Sequence, residues 1–161
     1  MLMRKVLVLL GIILLFLVGC AEKQPELGDV HIHADFKVYL EGEVFDFAQE
    51  TYMSTINRSL SNFVHLHDLD GDVIHMHMSG IELQYFFKTL GMDFTSECFT
   101  LDNGLAFCNN EESNLRMFVN GEENTEFGAY VFSDLDQILI TYGPKNEDIL
   151  EQLSSVTDKS C

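Results

Sequence analysis

The placement of the histidines constrains the fold of this chain more than any other feature. All six lie in His-x-His pairs, each inside a stretch where polar and apolar residues alternate. Such alternation is typical of a β-strand with one buried face, because successive side chains point to opposite sides. Each pair is therefore expected to present two imidazoles on one face of a strand. The pairs are His31/His33, His65/His67 and His75/His77.

The second and third pairs flank an Asp-rich turn at Gly71. A hairpin that closes symmetrically about Gly71 places His67 opposite His75 and His65 opposite His77, so that four imidazoles share one face. The same register places the intervening apolar residues on the other face. These residues are Val64, Leu66, Ile74, Met76 and Met78. The position of the two methionines favours core packing over copper(I) binding.

Clustered neutral imidazoles are typical ligands of transition-metal ions. We predict a site for Cu or Zn, with Fe or Ni as alternatives. The candidate ligands are His31, His33, His65, His67, His75, His77 and Asp35. For Asp35, three roles are open: a ligand, a group that orients a histidine, or a solvated strand residue. If the strand over residues 31–40 joins the same sheet, the six imidazoles form either one site of three or four ligands or a dinuclear site.

The N-terminus resembles an export signal. Residues 1–19 have a basic start and an apolar run too short for a comfortable membrane span, which is typical of a signal peptide. The run ends in Leu17-Val18-Gly19-Cys20, which resembles the lipobox of exported lipoproteins. In such signals the cysteine becomes the first mature residue and carries lipid, so we predict lipidation at Cys20. An uncut signal anchor and ordinary cleavage are the alternatives.

The predicted organisation is a lipidated cysteine and polar tether at residues 20–30, followed by one domain at residues 31–161. The chain has 26 acidic and 9 basic residues, with a net charge of −17. This charge disfavours nucleic acid as a partner. The predicted partners are the membrane, through the N-terminal lipid, and a metal-accepting or redox protein. The predicted location is the outer face of the cytoplasmic membrane.

Two further cysteines fit an exported protein. Cys98 and Cys108 lie symmetrically about Asn103, within a turn signal of sequence Asp-Asn-Gly. A hairpin here brings the two within disulfide reach. The alternative is a pair of free thiols that join a metal site. Cys161 has no assigned partner.

The fold expected from these patterns is α+β, built mainly from antiparallel hairpins. Strands are predicted over residues 31–40, 43–47, 63–67, 74–78, 115–119 and 137–142. One central helix is predicted from a capping box at Ser79 and Glu82 to Leu90, and a short C-terminal helix from Asn146, with Leu150 on its apolar side. Residues 48–62 show no clear pattern.

Several motifs together resemble a family of exported His-x-His proteins found in archaea and some bacteria, whose function is not settled. The resemblance covers residues 31–143 and is carried by His-Ile-His-Ala-Asp-Phe from His31, Val-His-Leu-His-Asp from Val64 and Ile-His-Met-His from Ile74. The later pieces, such as Phe-Val-Asn-Gly from Phe118, are common β-strand signals. Residues 115–143 also resemble ubiquitin-like modules, which is an analogy of fold alone.

Three functions are compatible with these predictions. The first is a lipid-anchored protein that binds Cu or Zn for carriage, buffering or redox chemistry. The second is a His-ligated metalloenzyme at the cell surface, a hydrolase, hydratase or oxygenase, in which three histidines leave a coordination position open. The third is an interaction domain whose metal is structural. The large apolar fraction weakens this third hypothesis, because such a core needs no metal to fold.

Overall fold

The alternating first strand lies at the centre of the fold. The computed structural model describes residues 25–160. Strand β1 (Ile32–Leu40) buries Ala34, Phe36 and Val38 on one face, and the opposite face carries His33 and Lys37. The predicted alternation is confirmed along this strand.

Ten strands and two α-helices are present in the described residues. After β1, the strands are β2 (Glu43–Val44), β3 (Val64–His65), β4 (Val73–Met76), β5 (Asp93–Phe94), β6 (Cys98–Thr100), β7 (Ala106–Cys108), β8 (Ser113–Val119), β9 (Glu122–Glu123) and β10 (Gln137–Pro144). The helices are α1 (Leu83–Thr89) and α2 (Leu150–Ser155), and short 3-10 helices cover Glu50–Tyr52 and Phe127–Ala129. The larger sheet has the order β3-β4-β1-β10-β8-β9, with β2 paired to β1, and the smaller sheet has the order β5-β6-β7. The predicted α+β class is confirmed.

One central pairing differs from the hairpin pattern. β1 and β10 are parallel, with Asp35 beside Gln137 and Leu40 beside Tyr142. Parallel neighbours cannot be joined by a tight turn, so the chain between them forms a long crossover. The sequence predicted both strands but not their pairing. The resemblance of residues 115–143 to ubiquitin-like modules stays a prediction.

The register between β3 and β4 corrects the one predicted. Val64 pairs with Met76 and His65 with His75, a shift of two residues from the symmetric hairpin. The chain reverses earlier than expected, because Asp68 and Leu69 both have φ of 58° and the Asp70 N–H donates to the carbonyl of His67. Gly71 instead lies against the backbone of Ala48, where a Cβ would come within 2.4 Å of the Ala48 nitrogen. An even shift preserves the faces of a strand, so the predicted division of polar and apolar residues holds.

The apolar face of the larger sheet packs against α1. Val64, Leu66, Ile74 and Met76 are buried there with the helical Phe86 and Phe87. The position of Met76 confirms its predicted role in the core. This packing leaves the histidines on the opposite face of the sheet.

The start of α1 was predicted wrongly. The helix begins at Leu83, after Glu82, which makes no side-chain capping bond. Glu82 instead forms a β-bridge with Val131, and Ser79 donates through its N–H and its hydroxyl to the carboxylate of Asp29. These tertiary bonds replace the local capping box. The predicted end is confirmed, because Gly91 follows the helix with φ of 79°.

The C-terminal segment covers part of the histidine-bearing face. The Tyr39 hydroxyl donates to Ser155 of α2, and the Gln137 amide donates to the carbonyl of Thr157. Leu150, predicted on the apolar side of this helix, is 70% exposed, while Gln152 is buried. The C-terminal segment therefore covers β1 beyond His33 and leaves the first residues of that strand open.

The end of the predicted tether is in contact with the domain. The Gly28 N–H donates to the carbonyl of His77 at 2.5 Å, and Val30 packs against the core. The predicted signal peptide, Cys20 and Cys161 lie outside the described residues. Within residues 25–160, no helix has both the length and the apolar character needed to cross a membrane.

Candidate metal centre

The site is built on three adjacent strands, with β4 in the middle. His75 on β4 pairs with His33 on β1 on one side and with His65 on β3 on the other. A row of three histidines therefore crosses the sheet perpendicular to the strands. The sequence predicted this shared face on the condition that the first strand joins the other two, and the structure meets that condition.

The remaining three histidines extend this row into a closed ring. Neighbouring imidazole centroids lie between 3.9 and 5.7 Å apart. In order around the ring, the residues are His31, His33, His75, His67, His65 and His77, and His77 returns to His31 at 4.8 Å. His67 contacts His75, and His65 contacts His77, as predicted, although the backbone register is shifted.

Three of these residues bring their nitrogen atoms closest together. One ring nitrogen from each of His31, His33 and His75 lies within 4.8 Å of the other two. The Nε2 atoms of His31 and His33 are 3.1 Å apart. Metal–nitrogen bonds of about 2.0–2.1 Å in a tetrahedral shell place two ligand nitrogens about 3.3 Å apart. Small side-chain rotations would therefore bring this triad into coordination distance.

The backbone holds His33 firmly in the triad. Its N–H donates to the Asp134 carboxylate at 2.9 Å, and its carbonyl accepts the Leu135 N–H at 2.8 Å. On its other side His33 pairs with His75. The strand is thus fixed along both edges where it presents its imidazoles, which lowers the conformational cost of assembling ligands.

Burial and crowding keep the central histidines neutral. Burial lowers the pKa of His75 to about 3, and the imidazoles around it, that of His67 first, act in the same direction. Burial also lowers the pKa values of His65 and His77, with neighbouring histidines adding to the effect. A neutral imidazole has the free lone pair that a metal ion requires.

Asp35 lies on the histidine-bearing side of β1, but its carboxylate is engaged elsewhere. It is fully buried and accepts hydrogen bonds from the hydroxyls of Thr157 and Ser160 and from the N–H groups of Lys159 and Ser160. Burial alone would raise the pKa of Asp35, but these hydrogen bonds hold it below its ordinary value. This arrangement corresponds to none of the three roles predicted for Asp35, because the buried carboxylate anchors the C-terminal segment instead.

A cleft beside the triad was not evident from the sequence. It has a volume of about 320 Å³. The residues that line it are His33, His67, His75, Asp68, Asp70, Val73, Lys159 and Ser160. Lys159 bridges Asp70 and Asp72, and Lys37 donates to Asp72 at 2.5 Å. No sequence pattern links residue 159 to residue 70, because only the folded C-terminal segment brings them together.

Cys98 and Cys108 are joined by a disulfide across the β6–β7 hairpin, in the predicted register. This excludes the alternative in which two free thiols join the metal site.

Comparison with protein families, with curated proteins and with solved structures finds no match for this chain. The resemblance to exported His-x-His proteins therefore stays a prediction.

We expect the metal-free protein to lose thermal stability as the pH falls from 7.5 to 5. In the unfolded chain a histidine has its ordinary pKa of about 6.5. In the folded protein the pKa of His75 is about 3. Between these values the unfolded chain binds more protons, so protonation favours unfolding. Melting temperatures measured in the presence of a chelator test this expectation. The substitution His75→Gln should reduce the loss, and an equal loss in both proteins would contradict it.

Proposed function

We propose that this protein binds a transition-metal ion, Cu²⁺ or Zn²⁺, through His31, His33 and His75. The observation that carries the proposal is the convergence of one nitrogen from each of these residues within 4.8 Å. Imidazole nitrogen is a ligand that suits both ions, and Cu²⁺ binds such sites more tightly at equal availability. Three ligands leave one position of a tetrahedral shell for water, a small molecule or a ligand from another protein.

The electrostatics around the site support this proposal. Six imidazoles on one face would repel one another as cations, and the pKa of His75 is lowered first by burial and then by these neighbouring imidazoles. Because the central imidazoles are neutral, their lone pairs are available to a metal ion without the release of a proton. The net charge of −17 favours approach of a dication rather than an anion.

We further propose that the domain is tethered by lipid at Cys20 to the outer face of the cytoplasmic membrane and that it serves metal carriage, buffering or redox chemistry there. The signal-like residues 1–19 support this placement, and the Cys98–Cys108 disulfide suits an oxidising compartment. A partially open site at the surface suits exchange of metal with a partner protein.

A metalloenzyme is the second candidate, and the cleft favours it. His33 and His75 lie in the cleft wall, so a small substrate there would reach an ion bound by the triad. Such an ion would supply Lewis acidity or an activated water. Failure of azide or cyanide to bind the metal-loaded protein would exclude the metalloenzyme, because catalysis needs an open coordination position, whereas their binding is compatible with both candidates.

The test is metal analysis of the full chain, expressed without a histidine tag and extracted from membranes with detergent. We expect bound Cu or Zn, and we expect the protein to stay folded after chelation because its core is apolar. Unfolding on chelation would favour the structural-metal hypothesis. A Cys20→Ser variant should carry no lipid, as measured by mass spectrometry, while it retains metal. Absence of metal, together with failure to bind added Cu²⁺ or Zn²⁺, would overturn the proposal.

A further inference from the structure

We infer that His65, His67 and His77 form a second metal position, so that the face carries a dinuclear centre. This inference rests on the proposed function and extends it from one ion to two. The second triad consists of the three histidines of the ring that the first triad leaves unused. It lies on the β3 side of the site, beside the acidic turn that begins at Asp68.

In the second triad the ring of His65 lies beside each of the other two rings. The centroids of His65 and His77 are 5.0 Å apart, and those of His65 and His67 are 5.7 Å apart. This spacing is wider than in the first triad, where neighbouring centroids lie 4.6 and 4.7 Å apart. We therefore expect the second ion to bind more weakly and to require larger side-chain rotations.

The hydrogen bonds of His65 and His67 orient both rings as metal ligands. The Nδ1 atom of His65 lies 3.0 Å from the carbonyl oxygen of Ser61, and that of His67 lies 2.7 Å from the carboxylate of Asp68. A carbonyl or a carboxylate only accepts hydrogen bonds, so each Nδ1 carries the proton. The neutral ring then has its lone pair on Nε2. Metal-binding histidines are commonly held in this way by a carboxylate or a backbone carbonyl.

The two triads meet at three ring contacts, of which the widest is that between His65 and His75 at 6.2 Å. The rings of His67 and His75 are 3.9 Å apart, and those of His31 and His77 are 4.8 Å apart. His33 and His75 from the first triad line the same cleft as His67 from the second. A small oxygen-donor ligand such as hydroxide in this cleft would therefore reach both ions, as in two-metal sites.

The charge around the second triad favours a second cation. Two dications repel each other, so a dinuclear centre needs negative charge nearby. Asp68 contacts His67 directly, whereas Asp70 in the cleft is paired with Lys159. The first triad has no carboxylate in its group of convergent ligand atoms. Asp68 therefore places a carboxylate directly beside a ligand of the second triad.

The experiment is a calorimetric titration of the metal-free full chain with Zn²⁺ in detergent, with the bound metal measured after dialysis. We expect two ions per chain for the unchanged sequence and one ion for the variant His65→Gln/His67→Gln. One ion in the unchanged chain, or loss of both ions in the variant, would overturn the second position. No ion in the unchanged chain would instead overturn the proposed function itself.

A milder substitution tests the same inference in case the double variant does not fold. Asp68→Asn leaves all six imidazoles in place but removes the carboxylate from His67. We expect this substitution to raise the dissociation constant of the second ion about 10–100-fold, as for other groups that orient metal ligands. The dissociation constant of the first ion should stay unchanged. The control is Asp93→Asn, an exposed carboxylate on the smaller sheet. Equal effects of both variants on the second ion would contradict the inference.

Discussion

Replacing His33 and His75 with glutamine is expected to remove the metal ion bound by the first triad. Binding free energies of about 10–16 kcal/mol for four-ligand zinc sites correspond to about 3 kcal/mol per ligand. Loss of two ligands should therefore raise the dissociation constant about 10⁴-fold. Glutamine keeps this face of the sheet polar, so the backbone pairing of the two residues should remain. Competition with a chromogenic chelator measures the loss of one bound equivalent.

The matched control is the double variant Glu122→Gln/Glu123→Gln. Both residues are exposed on β9, at the opposite edge of the larger sheet from β3. This variant removes two negative charges and leaves every histidine in place. If metal were attracted only by the acidic surface, the control would lose as much binding as the histidine variant. Unchanged binding in the histidine variant would show that the first triad is not the site.

Replacing Phe87 with alanine is expected to have the largest effect on stability. Phe87 is fully buried, and its ring lies 5.0 Å from both Phe86 and Phe99 and 5.4 Å from Phe94. It therefore joins α1 to the smaller sheet, and it also approaches Phe36 of the larger sheet. Loss of a buried phenylalanine costs about 3–5 kcal/mol, a large fraction of the 5–15 kcal/mol that is typical of a whole domain. Urea denaturation measures this change.

The control on the same helix is Tyr85→Ala. Tyr85 is 39% exposed, so its loss should cost about 1 kcal/mol or less. A Phe87 variant no less stable than the Tyr85 variant would contradict the prediction. Metal should partly restore the Phe87 variant, because the metal site lies on the opposite face of the sheet. Free metal at 100 times its dissociation constant stabilises a folded protein by about 2.7 kcal/mol.

Much of the local structure followed from the sequence because its causes are local. Alternation in β1 defined a buried face and a histidine-bearing face, and the disulfide followed from symmetry about Asn103. Where a distant segment competed, local reasoning failed. Ser79 donates its hydrogen bond to Asp29 instead of capping the helix. Gly71 packs against the backbone of Ala48 instead of forming the centre of a symmetric turn. Both are tertiary interactions that the surrounding sequence does not encode.

The candidate ligands could be predicted, but their grouping could not. Asp35 was one of the candidate ligands because it follows His33 on the same face, yet four hydrogen bonds join it to the last described residues. The partners of those bonds lie more than 120 residues away. The cleft that contains Lys159 also forms between residues that are far apart in the sequence.

The sequence by itself determined which face of each strand carries imidazoles, because that depends only on the two-residue period of an extended backbone. The residue types on that face predict imidazole ligands for a metal ion. Only the tertiary structure decided that β4 lies between β3 and β1, and therefore that His75 is the shared centre of the six-histidine ring. Strand order depends on the packing of α1, the crossover to β10 and the C-terminal segment, which are long-range interactions.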